Sequence, residues 1–119
     1  MSELRTVEAE LTSTPAAPRA PTPLPLVLIA DANPRSRGRR AHQLAERGFR
    51  VAVARTPFEA IVKASCHLPD LILVDASLGD AGAEDPSELL ATCEATKHIP
   101  IVRLTPGRRL PNHVFAAAR

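Results

Sequence analysis

Aromatic residues are scarce in this chain of 119 residues, which has three Phe and neither Trp nor Tyr, so its core must be aliphatic. Charge of one sign is not in excess: the net charge of +2 provides no strong field to attract nucleic acid. No apolar run is long enough to span a bilayer. The N-terminus carries Glu3, Glu8 and Glu10 where a secretory signal would be apolar. These absences favour a cytoplasmic globular protein.

Cysteine is also rare, with Cys66 and Cys93 as its two occurrences. Each lies inside a predicted helix, and their spacing matches neither a metal motif nor a disulfide framework. We therefore expect two buried, reduced thiols.

Proline, by contrast, is concentrated at the start of the chain. Residues 1–25 combine five prolines with Thr, Ala and Ser and contain few large apolar side chains. Such a segment buries too little surface to offset the entropy lost on ordering, which predicts a disordered tail. A proline-rich docking motif is the alternative interpretation of the same residues. We expect residues 26–119 to form one folded domain.

Three apolar runs, each ended by a polar residue, predict buried parallel strands. Leu71–Val74 ends at Asp75, Leu26–Ala30 ends at Asp31, and the strand that begins at Ile101 ends at Thr105. Ligands of open α/β sheets bind outside the carboxyl ends of the strands. If these strands are parallel neighbours, two carboxylates and a hydroxyl meet at one rim, where Asp75 is placed to accept a phosphoryl group.

Helix-start signals alternate with these strands. Asn33-Pro34, Thr56-Pro57 and Asp85-Pro86 each place a capping residue before a proline at the first helical position. Four strand–helix repeats predict a parallel sheet covered by helices on both faces. The first helix is rich in arginine, which favours a solvated face over the alternative of a nucleic-acid patch.

Three segments resemble the receiver domain of response regulators, in the order and spacing of that family: Leu28–Pro34, Pro69–Asp75 and Ile99–Thr105. The resemblance implies a flavodoxin-like α/β fold with strand order 2-1-3-4. The chain ends inside the fourth helix, so we expect the family's fifth strand–helix unit to be missing and the receiver-like domain to be incomplete at its C-terminus.

The resemblance also implies roles for individual residues. Asp75 corresponds to the aspartate that a histidine kinase or phosphotransfer protein phosphorylates, and Thr105 to the switch hydroxyl that contacts the phosphoryl group. Asp31, Asp75 and the backbone carbonyl of Ser77 correspond to Mg²⁺ ligands. The family's second acidic position is Ala32 here, and losing one oxygen ligand should weaken Mg²⁺ binding.

Two further departures affect the same site. Gly79 stands where the family usually has a proline, and the lysine that pairs with the phosphoryl group falls in the missing unit. Arg108 or Arg109 is a candidate substitute for that lysine.

Two functions follow from the resemblance, and neither is enzymatic. The first is a phosphorelay receiver with Asp75 as phosphoacceptor and a kinase or phosphotransfer protein as partner. The alternative is a pseudo-receiver, a protein-interaction module that needs no phosphorylation, which Ala32 and the missing lysine favour. An uncovered last strand also predicts self-association or a partner that completes the sheet. A nucleic-acid binder that uses the arginines of the first helix is the weakest hypothesis.

Overall fold

The computed structural model describes residues 24–79 and 86–118. The predicted proline-rich tail therefore lies outside the described residues, except for Leu24 and Pro25. Asp85, the predicted cap of the third helix, is outside them as well. Along the described chain, strands and helices alternate as the sequence predicts. They are β1 (Leu26–Ala30), α1 (Pro34–Glu46), β2 (Arg50–Ala54), α2 (Pro57–His67), β3 (Leu71–Asp75), α3 (Pro86–Thr92), β4 (Ile101–Leu104) and α4 (Asn112–Ala117), with a short 3-10 turn at Ala76–Gly79.

The strands form one parallel sheet in the order β2-β1-β3-β4, which confirms the predicted topology. Successive residues of a strand point to opposite faces. In β1, Val27 and Ile29 join the core on one face, and Leu28 and Ala30 join the core on the other. The central strands are therefore buried on both sides, which explains their continuous apolar runs.

Helix α1 begins at the predicted capping residue. The side chain of Asn33 accepts a hydrogen bond from the Arg35 N–H, and Pro34 occupies the first helical position. After the helix, Gly48 adopts a positive φ of 87°, which a residue with a side chain rarely adopts. The N–H of Phe49 then donates to the carbonyl of Leu44, so the chain turns directly into β2.

Helix α2 begins directly after its predicted capping residue, Thr56, and Glu59 binds the backbone of Arg55, the residue before that cap. The Glu59 N–H donates to the Thr56 hydroxyl, and the Arg55 N–H donates to the Glu59 carboxylate. Its buried contacts come from Ala60 and Ala64.

Several side chains expected in the core are exposed. Leu68, an apolar residue directly after α2, has a left-handed backbone and is 53% exposed. Cys66 and Cys93 are free and exposed, so the expectation of buried thiols is wrong. Cys93 lies just after α3, which ends at Thr92, and not inside a helix as predicted. Within α3, Leu90 is buried but Leu89 is not.

No helix in the described part of the chain has the length and apolar content needed to cross a membrane.

Candidate functional site: an acidic pair bridged by arginine

Two aspartates lie side by side at the carboxyl edge of the sheet. Asp31 directly follows β1 and Asp75 is the last residue of β3. These strands are neighbours, and Ala30 pairs with Val74 in their register, so the next residue of each strand reaches the same rim. Asp31 and Asp75 are each 1% exposed. We call them the acidic pair, and their position confirms the prediction that two carboxylates meet at one rim of the sheet.

The acidic pair is bridged by an arginine from α1. The Nη1 nitrogen of Arg40 lies 3.0 Å from Asp31 Oδ2 and 2.7 Å from Asp75 Oδ2. The Arg40 side chain is fully buried. Two like charges this close repel each other, and a buried charge is costly unless it is paired. One guanidinium therefore contacts both carboxylates and offsets part of their charge from inside the protein.

The remaining donors of Arg40 hold the loop that follows β4. Nε donates to the carbonyl of Arg108 at 3.0 Å, and Nη2 donates to the carbonyls of Thr105 and Arg108, each at 2.9 Å. A guanidinium has five N–H donors, and these three bonds plus the two to the acidic pair account for all of them. Arg40 thus joins α1, the ends of β1 and β3, and the loop after β4.

The other carboxylate oxygens are also satisfied by the chain itself. Asp31 Oδ1 accepts from the Asn33 N–H at 3.0 Å, and its Oδ2 accepts from the Ser36 hydroxyl at 2.5 Å as well as from Arg40. Asp75 Oδ1 accepts from the N–H of Ser77 at 2.9 Å and from its hydroxyl at 2.6 Å. Every oxygen of the acidic pair therefore has a hydrogen-bond donor.

These contacts determine the ionisation of Asp75. Burial raises the pKa of its carboxyl group, but the hydrogen bonds from Ser77 and the hydrogen bond and charge of Arg40 lower the pKa by more. The pKa of Asp75 consequently lies below its ordinary value, and the group is a carboxylate at neutral pH.

The other predicted site residues lie around this rim. Ala32 is exposed and supplies no oxygen from its side chain. Ser77 is half-buried beside Asp75, which it contacts through its N–H and hydroxyl. Thr105 is exposed after β4, and its backbone carbonyl binds Arg40. The functional roles of these residues remain predictions.

This arrangement does not fit the predicted Mg²⁺. Hard cations take several oxygen ligands, whereas the described residues contain no group of three or more His, Cys, Asp or Glu placed to hold a metal ion. Each carboxylate of the acidic pair already directs one oxygen at the guanidinium of Arg40. A positive charge from the protein thus stands between the two aspartates.

Sequence reasoning missed Arg40 because it assigned the arginines of α1 together to a solvated face. The residues buried by α1 are Ser36, Arg40 and Leu44, each four positions from the next. Residues four apart share one helix face. The spacing from Leu44 was therefore a signal that this particular arginine faces the sheet.

Comparisons with known proteins support the fold. No protein-family model matches the chain, and its sequence matches none of the curated proteins. Among solved structures, it is similar to the N-terminal domain of a response regulator receiver protein from Methanoculleus marisnigri. That likeness has 23% identity and a TM-score of 0.65, and covers 81% of this chain and 80% of that one.

Two other solved structures are similar. The chemotaxis response regulator CheY4 of Vibrio cholerae is 23% identical with a TM-score of 0.62, and 68% of each chain is covered. The N-terminal domain of a response regulator/sensory box/GGDEF protein from Carboxydothermus hydrogenoformans is 26% identical. Its TM-score is 0.56, with 76% of this chain and 74% of that chain covered. The chain has the receiver-domain fold, and the resemblance predicted from its sequence is confirmed.

Proposed function

We propose that this receiver-fold chain is a pseudo-receiver, a signalling module that works through protein contacts without accepting a phosphoryl group and without catalytic turnover. The observation that carries the proposal is the bridge from Arg40 to Asp31 and Asp75. A phosphoryl acceptor needs a free nucleophilic oxygen and a cation that can neutralise the incoming charge. Here both oxygens of Asp75 are hydrogen-bonded, and the neighbouring cation is part of the fold.

The cost of opening this site supports the same conclusion. Moving Arg40 aside would leave two buried carboxylates without their counter-charge, and breaking a buried ion pair costs about 3–5 kcal/mol. It would also release three hydrogen bonds to the loop after β4. The bridged arrangement is therefore the stable state of the chain and requires no chemical signal to form.

Phosphorelay reception at Asp75 is the second candidate, with a sensor histidine kinase or phosphotransfer protein as the donor. Its specific support is that Asp75 ends the central strand β3 and is kept ionised by its neighbours. In that case the phosphoryl group on Asp75 would either displace the Arg40 guanidinium or accept hydrogen bonds from it.

Labelling with a small phosphodonor separates the two candidates. The wild-type chain and Asp75→Asn are incubated with acetyl phosphate and Mg²⁺, and intact masses are recorded, with a receiver domain that has a complete acidic cluster as the positive control. A pseudo-receiver gains no mass in either form. A phosphoryl adduct on the wild type that Asp75→Asn abolishes would establish the phosphorelay role instead.

A further inference from the structure

An open cleft lies beside β4, one of the two outer strands of the described sheet. Its volume is about 700 Å³. One wall is the loop that connects β4 to α4, and Arg39 of α1 contributes to the lining. The lining residues are Arg39, Val102, Arg103, Leu104, Thr105, Gly107, Arg108, Arg109, Pro111 and His113.

The cleft is lined by basic side chains, although the charge of the whole chain is nearly balanced. Four of its lining residues are arginines, and none of those ten residues is acidic. Val102, which is half-buried, and Pro111, which is exposed, add apolar surface to the lining. The whole chain carries a net charge of only +2, so four arginines with no acidic residue among the lining are a local excess of positive charge. A cleft with one sign of charge attracts ligands of the opposite sign.

The wall of the cleft is held in place by α1. Arg40 binds the carbonyls of Thr105 and Arg108, and Arg39 Nη2 donates to the carbonyl of Gly107 at 2.6 Å. Gly107 itself has a positive φ of 74°, which suits glycine at the turn. A loop that is already fixed loses little entropy when a ligand binds. The bridge at the acidic pair thus also shapes the cleft.

We propose that this cleft docks an acidic, extended segment of a partner protein, with Arg108 and Arg109 binding its carboxylates. The inference rests on the proposed function and names the contact surface that such a module would use. Charge complementarity selects an acidic occupant, and the apolar residues Val102 and Pro111 select a polypeptide with intervening aliphatic side chains. A single-stranded nucleic acid is disfavoured because none of the lining residues is a Phe, Tyr or Trp on which bases could stack.

Fluorescence anisotropy with defined probes tests the docking site. The probe is a short labelled peptide of alternating Glu and Val, and its control has Gln in place of each Glu. The full chain should bind the Glu peptide in a salt-dependent way and the Gln peptide at least about tenfold more weakly, because the arginines lose their charged partners. Equal binding of both peptides would overturn the proposal.

Charge-reversal variants locate the contact. Arg108→Glu combined with Arg109→Glu should weaken binding of the Glu peptide by about tenfold or more. The matched control, Arg35→Glu combined with Lys97→Glu, makes the same change in net charge at exposed positions outside the lining and should keep the wild-type affinity within about twofold. Equal losses in the two double variants would show attraction by overall charge and contradict a site. Circular dichroism establishes that each variant is folded.

A single-stranded oligothymidylate serves as the competitor of the other macromolecular class. The proposal expects it to displace the Glu peptide only weakly, and tighter binding of the oligothymidylate would contradict the choice of a protein partner. The phosphodonor labelling separately tests the proposed function. A chain that is phosphorylated on Asp75 yet binds the Glu peptide through Arg108 and Arg109 would refute the pseudo-receiver and retain the cleft. A chain that is not phosphorylated and does not bind the Glu peptide would support the pseudo-receiver and refute the docking site.

Discussion

Arg39 and Arg40 are adjacent in α1, yet they occupy opposite environments. Arg39 is exposed and reaches the carbonyl of Gly107, whereas Arg40 is fully buried between Asp31 and Asp75. The helix turns 100° per residue, so one of two neighbours can face solvent while the other faces the sheet. The difference teaches that the role of a charged residue is set by the face it occupies, and that a helix rich in arginine can supply both a surface and a buried cation.

The largest expected difference between these neighbours is in stability. Arg40→Met leaves two buried carboxylates without their counter-charge and should lower the free energy of unfolding by about 3–5 kcal/mol. Arg39→Met removes an exposed side chain and should lower it by less than about 1 kcal/mol. Urea unfolding followed by circular dichroism measures both. Arg40→Lys keeps the positive charge but loses the planar guanidinium, so its loss in free energy of unfolding should lie between those of the two Met variants. Equal losses for the two Met variants would contradict a special role for Arg40.

Mg²⁺ binding should also differ between variants of Arg40 and variants of Arg39. With Arg40 replaced by Ala, Asp31 and Asp75 have no internal cation, so Mg²⁺ should stabilise this variant by binding its folded state. We expect Mg²⁺ to raise the Tm of Arg40→Ala and to leave the Tm of the wild type and of the matched control Arg39→Ala unchanged. Thermal unfolding with and without Mg²⁺ makes the comparison. A Tm of the wild type that rises as much as that of Arg40→Ala would show that Arg40 does not exclude the metal.

Acid should weaken the bridge by a smaller amount. The pKa of Asp75 is lowered in the folded chain, so its contribution to stability is complete above its ordinary value of 3.8 and is lost as the pH falls through the lower, folded value. The urea midpoint of the wild type should therefore drop in this acidic range, and that of Asp75→Asn should drop less. The pKa of Glu59 is also lowered, because Glu59 accepts a hydrogen bond from the Arg55 backbone. Glu59→Gln is therefore the control that measures how much of the acid sensitivity comes from Glu59 and not from Asp75. Identical acid profiles for the wild type and Asp75→Asn would contradict this account.

The smallest effect concerns the oxygen of Asp75 that Arg40 does not touch. Ser77→Ala removes the hydroxyl that donates to Asp75 Oδ1 and should cost about 1 kcal/mol, the typical net contribution of one hydrogen bond, since the Ser77 N–H still donates to the same oxygen. It should also raise the pKa of Asp75 toward its ordinary value. Ser65→Ala, at an exposed position of α2, is the control. Urea unfolding and carboxyl NMR titration measure the two effects. An unchanged pKa of Asp75 in Ser77→Ala would mean that the hydroxyl does not stabilise the carboxylate.

The sequence predicted the sheet well because its signals are local. The apolar run that ends at Asp75 and the caps at Asn33 and Thr56 depend on residues close in the chain, and each appears in the structure. The proximity of Asp31 to Asp75 followed from strand order, which the parallel sheet confirms.

The bridge itself depends on contacts between residues far apart in the chain. Arg40 meets Asp75 across 35 positions and the Arg108 carbonyl across 68. The composition of α1 predicted that all of its arginines are exposed to solvent. Only the four-residue spacing between Arg40 and Leu44 indicated that Arg40 is buried. The exposure of Cys66 was missed for a related reason, since a position inside a helix does not tell which face is buried.

The most direct test of the bridge is a double-mutant cycle between Arg40 and Asp75. Free energies of unfolding are measured for the wild type, Arg40→Met, Asp75→Asn and the double variant. Because the two groups are buried and joined at 2.7 Å, we predict a coupling energy of about 2–3 kcal/mol. Losses that add to within about 0.5 kcal/mol would show that the guanidinium and the carboxylate act independently, and would contradict the account.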